Sequence, residues 1–422
     1  MKRRHLDIID PIHDFVRAYG GEIKIIDNPI FQRLRRIRQL SGAYLTYPGA
    51  QHTRFEHSLG VMHITGQAAQ ALEEKGIINS DDIENLRLAA LLHDIGHGPF
   101  SHLFEEVAQR KKKSSHEQLG RDLILKTEIG DLISKSGFNK KFITKLAFGD
   151  SKLQFMNEII SGALSADIMD YLLRDGYFTG AEHAKIDHKR ITQSLDVYHK
   201  KLALEKSALY SFESMMHSRY QMFKAVYFHK TVRSAEVMLL ESMRLAYEEL
   251  GLSSMSLDDY VKLTDDYIEL TDDYMLAKLV SLPTHTSDLK RAQKIATDYQ
   301  NRKLFKCVFE RMLTPNEHIS KMKTSQLKKE LSKKSKVDEN EIFVDSSVTP
   351  SLPLSPSKRE SKSLILITRA NNKVSAKEIP ISQIPLVSIM SGFMNILRVY
   401  TLRKNRKKVE IAAKLILGGR RS

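Results

Sequence analysis

Leu86-Arg87-Leu88-Ala89-Ala90-Leu91-Leu92-His93-Asp94-Ile95-Gly96-His97-Gly98-Pro99-Phe100-Ser101-His102 is the stretch that decides how this chain of 422 residues reads. From Leu86 to Leu92 it is apolar almost all round, the pattern of a helix buried inside a bundle. Gly96 and the pair Gly98-Pro99 then end it. The spacing predicts a helix over 80–95 with His93 and Asp94 at its end. Neighbouring helical residues diverge by about 100°, so an adjacent imidazole and carboxylate converge on one point only near a helix terminus. Burying both behind such an apolar run is costly without compensation. A divalent metal, for which imidazole and carboxylate are natural ligands, is the simplest compensation.

Two ligands do not complete a site. Further candidates are polar groups set in apolar helical sequence: His57 within Arg54-Phe55-Glu56-His57-Ser58-Leu59-Gly60, and Asp167 within Ser165-Ala166-Asp167-Ile168-Met169-Asp170-Tyr171-Leu172-Leu173-Arg174-Asp175. Asp167 shares a helix face with Asp170 and Tyr171, as Tyr171 does with Asp175. Singly, each has a plainer reading: His57 as a hydrogen-bonded core histidine, Asp167 as a cap or salt-bridge partner. Their occurrence together, in order, in one apolar helical frame favours the metal.

Outward from this centre the chain reads as mainly helical. Helices are predicted over 57–76, 100–112, 116–136, 152–175, 211–250 and 290–312. Another is predicted over 29–40, with Asp27-Asn28-Pro29 at its start and Phe31, Leu34, Ile37 and Leu40 on one face. The first 26 residues look like a strand-and-turn entry, with turn chemistry at Asp10-Pro11 and Gly20-Gly21. An Asp-Asp-Tyr repeat at seven-residue spacing over 257–274 reads as helix caps and packing. After Pro315 the character changes: Lys321–Lys336 is rich in lysine, 345–363 is rich in Ser and Pro, Leu364–Thr368 and Ile396–Thr401 look like strands, and Lys404–Leu417 like a helix. The division expected is a helical core over 1–315 and a basic extension over 316–422 carrying a small α/β element.

Lys and Arg number 66 against 51 Asp and Glu, a formal charge of +15. Such a surplus attracts polyanions, nucleotides or nucleic acid among them; a solvated lysine-rich surface is the plainer alternative. Arg110–Lys113 and Arg403–Lys408 concentrate it. Cys307 is the only cysteine, which excludes an intramolecular disulfide and a cysteine-based zinc site. No signal peptide is evident, and no stretch approaches the roughly 18–20 apolar residues of a membrane span. A cytoplasmic location without membrane partners is the expectation.

These strings resemble the HD phosphohydrolase superfamily, named for the His-Asp pair, and within it the deoxynucleoside triphosphate triphosphohydrolase branch. The matching stretches are Phe31–Arg35, Tyr47–Ala50, Arg54–Gly60, His93–His102, His116-Glu117-Gln118, Asp167–Asp175 and Arg302–Lys306, so the likeness spans about residues 8–310. The SAM domain of the mammalian member is missing. The resemblance implies an HD-domain helical bundle and metal ligation by His57, His93, Asp94 and Asp167. The ion would be one divalent metal (iron, manganese, nickel, zinc or magnesium), with magnesium as a further companion of the substrate phosphates. It implies that His97 and His102 lie beside the α-phosphate, that His102 protonates the leaving oxygen, and that Glu105 and His116 form an acid–base pair. Arg54 matches a phosphate contact. Gln39, Tyr171 and Asp175 match groups that read the sugar, and Arg219 and Tyr227 match groups that close the pocket. The implied substrate is a deoxynucleoside triphosphate and the implied assembly a homo-oligomer, dimer or tetramer. Asp27, Gln32 and Arg35 match residues that hold an activating guanine nucleotide; simple packing and capping of the 29–40 helix is the alternative. Two positions depart from the mammalian pattern: Ile168 stands where a lysine follows the last ligand, and Phe223 where a pocket histidine would be.

Overall fold

The computed structural model describes residues 5–108, 115–252, 264–313, 323–346, 363–370, 373–390 and 395–418. The basic run Arg110–Lys113, the first Asp-Asp-Tyr repeat, the 315/316 division and nearly all of the Ser/Pro-rich segment lie outside them. Among the described residues no helix is long and apolar enough to cross a membrane. The chain is mainly helical, with small sheets concentrated toward its C-terminal part.

The bundle is organised on the helix Arg54–Glu74, opened by a capping box in which Glu56 accepts from the Thr53 amide at 2.9 Å. It packs against Ser80–Leu92 and Ala166–Thr179. Gly60 permits the second contact: a Cβ there would lie 1.8 Å from Asp170 Oδ1. Ser80–Leu92 is capped by Asn79 and stops earlier than expected, with His93 as its C-cap. His93 and Asp94 thus leave the helix, where adjacent side chains can turn toward one point. Gly96 lets the following turn lie against the start of His116–Lys126, since a Cβ would meet the His116 carbonyl at 2.0 Å.

Several predicted helices are shorter or divided. The 29–40 segment is a single turn, Pro29–Gln32, followed by a 3₁₀ turn Arg33–Arg36, after which Ile37 is extended (φ −118°). Apolar residues spaced three apart match the 3.0-residue turn of a 3₁₀ helix better than the 3.6 of an α-helix. The 116–136 segment breaks at Thr127, which ends His116–Lys126 and caps Glu128–Lys135. The 152–175 segment breaks after Gln154–Ser161 at extended Gly162, and Ser165 caps the next helix through the Ile168 amide at 3.2 Å. The 211–250 segment is Leu209–Met222, a π-turn Phe223–Tyr227, and Lys230–Leu245. The 290–312 segment is a helix, Ser287–Gln300, and then a strand, β5 below. Its alternating residues find a partner strand about 90 residues away that local periodicity cannot reveal. In the Asp-Asp-Tyr repeat, Thr271 caps Asp272–Val280 as read.

Among the described residues the strands are β1 (His5–Asp10), β2 (Asp14–Tyr19), β3 (Leu195–Tyr198), β4 (Lys201–Glu205), β5 (Lys306–Leu313), β6 (Ile342–Ser346), β7 (Ser363–Ala370), β8 (Lys373–Pro380) and β9 (Asn395–Thr401). β1 and β2 form an antiparallel hairpin. The other sheets run β3-β4-β7-β8 and β5-β9-β6. Each therefore joins strands from before and after residue 316: β4 pairs in parallel with β7, Ala203 opposite Ile365, and β5 pairs with β9. The main core likewise includes Leu364, Leu366, Ile384 and Tyr400. A smaller core lies between the helices Thr324–Ser335 and Arg406–Leu417 and the β5-β9-β6 sheet.

Under the bundle, His13 lies 5.0 Å, ring to ring, from His63 and 6.0 Å from His188. Burial and the neighbouring His13 push His63 and His188 down to about 4 from an ordinary 6.5. Above pH 6.5 both rings are neutral whether the chain is folded or not. Below it the unfolded chain takes protons first, so stability is lost as pH falls from 6.5 to about 4. The melting temperature is expected to fall steeply across that interval and less steeply in His63→Phe, read by calorimetry; identical slopes would contradict this. Gly60→Ala is expected to cost about 2–3 kcal/mol by pushing the helix Ala166–Thr179 off Arg54–Glu74, read by denaturant unfolding.

Candidate metal and phosphate site

His57 projects from the first turn of Arg54–Glu74, and its Nδ1 lies 2.8 Å from Asp170 Oδ2. That contact leaves Nε2 pointing the other way, 3.2 Å from Asp167 Oδ1 and 3.8 Å from Asp94 Oδ2. His93 is set similarly. Its Nδ1 meets the Ala90 carbonyl at 2.7 Å, and its buried Nε2 has no hydrogen-bond partner but lies 3.4 Å from Asp94 Oδ1. Asp167 is the second residue of its helix, where a carboxylate suits the positive end of the helix dipole. Ligand atoms of His57, His93 and Asp167 all lie within 4.8 Å of one another.

This donor set fits a divalent ion. Two imidazoles have their outer nitrogens held by a carboxylate and a carbonyl, the support that orients ligating histidines. An orphaned buried nitrogen and the Asp167 carboxylate face the same point; Asp94 lies against both imidazoles but outside that group, its oxygens engaged by Arg54 and His97. Burial opposes a charge on His57, yet contacts with Asp167 and Asp170, with Asp94 nearby, raise it to about 10. The local excess of negative charge calls for a cation there. Burial likewise opposes ionisation of Asp94, but Arg54, His93 and His97 hold it well below the usual carboxylate range.

Beside this cluster stands a second one. His97 Nε2 lies 3.2 Å from Asp94 Oδ1, and its ring stacks on His116 at 4.0 Å and 14°. Burial, Arg54 and His116 push His97 well down, so it stays neutral. His116 Nδ1 contacts Glu105 Oε2 at 2.9 Å, and His102 Nδ1 lies 3.5 Å from the same oxygen. Glu105 is partly buried, which opposes its charge, but these two histidines hold it ionised. The His102 side chain is 73 % exposed. Arg54 is buried and bound to Asp94 Oδ2 at 2.5 Å and Ser101 Oγ at 2.7 Å.

A pocket wall follows from the π-turn, a helix distortion common at functional sites. Tyr227 donates to Asp175 Oδ2 at 2.6 Å, and its ring lies 6.4 Å from Tyr171 and 4.8 Å from Phe223. Arg219 sits 5.9 Å above Phe223. His52 Nε2 meets the other Asp175 oxygen at 2.8 Å. Gln39 donates its backbone N–H to the His52 carbonyl at 3.1 Å, while its buried side-chain Oε1 has no partner. Ile168 is buried. Farther along the chain, Arg35 donates to Gln32 at 2.8 Å and lies 3.5 Å over the Phe55 ring. Gln32 donates to the Ile26 carbonyl, and Asp27 is exposed at the C-cap of Gly20–Ile26.

Four supporting residues escaped the sequence reading as parts of the site. Asp170, fully buried, joins His57, His13 at 2.7 Å and Arg174 at 2.9 Å; its place one turn after Asp167 was the available signal. Arg33, also fully buried, donates to the His97 carbonyl at 2.7 Å and the Leu270 carbonyl at 3.0 Å. Asp272 accepts from the amides of Phe100 at 2.7 Å and Arg38 at 3.0 Å, and burial raises it to about 6. His52 gave no local signal; its role depends on a contact 123 positions away.

The model of the HD domain matches residues 54–175, and that of the HD associated region matches residues 186–421. An uncharacterized protein of Methanocaldococcus jannaschii is 40% identical over 249 residues, 58% of this chain and 51% of the relative. Human deoxynucleoside triphosphate triphosphohydrolase SAMHD1 is 30% identical over 374 residues, 77% of this chain and 58% of the relative. The chain thus spans about half of the length of these curated relatives. Among solved structures, a phosphohydrolase from Bacteroides thetaiotaomicron superposes with a TM-score of 0.74 at 26% identity, covering 95% of this chain and 100% of that one. With the two models matched in order over residues 54–175 and 186–421, this chain belongs to the HD-domain family and carries its HD-associated region.

Proposed function

We propose that the protein hydrolyses deoxynucleoside triphosphates to deoxynucleoside and triphosphate. The observation that carries the reading is the convergence of His57, His93 and Asp167, with Asp94 against both imidazoles, beside the stacked His97–His116 pair. His57, His93, Asp94 and Asp167 would hold one divalent ion, which when bound supplies an acidified water and neutralises phosphate charge. Iron, manganese, nickel, zinc and magnesium all suit two imidazoles and two carboxylates.

The chain's own groups account for the rest. Arg54, presented between Asp94 and Ser101, is placed to hold phosphate oxygens by charge-assisted hydrogen bonds. Neutral His97 offers a hydrogen bond to the α-phosphate without adding charge. Glu105 lies against the Nδ1 atoms of both histidines, and exposed His102, with His116 behind it, is placed to give a proton to the leaving 5′ oxygen. Tyr171, Asp175, Gln39, Arg219 and Tyr227 would bound the sugar and base. The similarity to human deoxynucleoside triphosphate triphosphohydrolase SAMHD1 supports the substrate class, and the family fold supports a homo-oligomer, dimer or tetramer. Asp27, Gln32 and Arg35 would then form part of a nucleotide-activation site; the Gln32–Arg35 contact supports a shared role. A cytoplasmic location accords with a nucleotide substrate. One observation favours a second reading: Ile168, buried and apolar beside Asp167, offers no contact to a triphosphate tail, which suits a shorter phosphate ester.

Each dNTP and GTP, supplied alone and in pairs with Mn²⁺ or Mg²⁺, tests the choice by product chromatography. Deoxynucleoside plus triphosphate is the expected result; orthophosphate or pyrophosphate would favour the second reading. Asp94→Ala is expected to lose hydrolysis and bound metal together while keeping its circular dichroism spectrum; an active, metal-free variant would remove the site. Glu105→Gln is expected to lower kcat about 10²–10³-fold with KM nearly unchanged and metal content intact.

A further inference from the structure

The turn between β1 and β2 carries a histidine that the hydrolytic groups do not include. The His13 side chain is 1 % exposed, although its turn lies at the end of a hairpin. Asp10 shapes the turn: its Oδ1 accepts from the Ile12 amide at 2.9 Å and from the His13 amide at 3.0 Å. Arg174 anchors the same carboxylate from the bundle at 2.8 Å. The His13 ring packs against the rings of His63 and His188. Its Nε2 lies 2.7 Å from Asp170 Oδ1.

Where His13 leads depends on the capacity of that carboxylate. Burial opposes a charge on Asp170, but Arg174, His13 and His57 hold it ionised. An ionised carboxylate only accepts, at about four lone-pair positions, and each has a donor. Arg174 Nη2 and His13 Nε2 share Oδ1, at 2.9 and 2.7 Å; Arg174 Nε and His57 Nδ1 share Oδ2, at 2.9 and 2.8 Å. The hydrogens of this set therefore lie on His13 Nε2 and His57 Nδ1, which leaves His57 Nε2 facing Asp167. A carboxylate behind a ligating imidazole fixes its orientation and raises its basicity. Arg174 stands one turn from Asp170 on the same helix and moves with it. His13 is different: it ties Asp170 to the hairpin. Without that donor, one acceptor position of a buried carboxylate stands open, and the support behind His57 loosens.

We infer that His13 is a positioning residue for the metal centre, setting the affinity of the ion through Asp170 and His57. The inference rests on the metal reading given above and is independent of which phosphate ester is cleaved. The test is titration of the metal-free full chain with Co²⁺ against a competing chelator, well below the melting transition, with circular dichroism to follow the fold. His13→Leu fills most of the ring's volume but donates nothing, and is expected to bind Co²⁺ about 10-fold more weakly. His13→Gln places an amide N–H near the position of Nε2, so it is expected to bind close to the parent. His13→Asn, whose amide stops short of Asp170, should behave like His13→Leu and serves in its place if the leucine variant does not fold. A merely structural role for His13 would lower the melting temperature of the metal-free variants and leave their Co²⁺ affinity at the parent value, which would overturn the inference. Equal weakening in the Gln and Asn variants would also overturn it, because the hydrogen bond would then not be the cause. If the parent itself binds no Co²⁺, the metal reading fails and the inference with it; if the parent binds and both His13→Leu and His13→Asn match it, only the inference fails.

Discussion

The Asp170 carboxylate is the contact on which the rest of the site depends. It is fully buried and bears three loads at once: His57 on one oxygen, His13 on the other, and Arg174 across both. Arg174 in turn binds Asp10 at 2.8 Å, so the N-terminal hairpin, the helix Arg54–Glu74 and the helix Ala166–Thr179 meet at one charged knot. Burial penalises every member separately. Together they satisfy one another, and Asp170 is held well below the usual carboxylate range, chiefly by Arg174 against that burial. Removing one partner leaves a buried charge uncompensated, which costs far more than the pair contributes. The absence of a side chain at Gly60 is what admits the knot.

The turn after Asp94 shows the same economy in its backbone. Phe100 and Ser101 both adopt left-handed conformations, with φ of 54° and 55°, unusual for residues with side chains. Asp272 holds the Phe100 amide, Ser41 holds the Phe100 carbonyl at 3.0 Å, and Arg54 holds the Ser101 hydroxyl. Arg33 fixes the His97 carbonyl from the opposite side. Strain of this kind persists where surrounding structure over-determines it, commonly at functional sites. Here it aims His97 at Asp94 and starts the helix that carries His102 and Glu105.

The C-terminal strands serve the same centre from outside. β9 supplies Arg398, which donates to the Phe228 carbonyl, and Tyr400, which donates to the Lys230 carbonyl at 2.9 Å. These bonds bracket the end of the π-turn that carries Tyr227, while Tyr47 holds the Ala225 carbonyl at 2.6 Å from the other side. A pocket wall is thus positioned by residues 170 and 178 positions away from it in sequence.

Much of this was legible in the sequence because it rests on local physics. Apolar periodicity marked the bundle helices, turn residues marked their ends, and a His-Asp pair after Leu-Ala-Ala-Leu-Leu had no inexpensive explanation except a metal. The same local rules named His57 and Asp167, which the structure brings within ligand distance of His93. The breaks at Thr127 and Gly162, the 3₁₀ turn after Gln32 and the strand following Gln300 needed more. At those places caps, tight turns and strand pairing compete with helix propensity within about 1 kcal/mol per residue, and only tertiary contacts decide. Asp170, Arg33, His52 and Asp272 belong to that second class. Each is a polar residue that local sequence allows on a surface, and each acquires its role from a partner more than 60 positions away, once burial makes an unpaired charge intolerable.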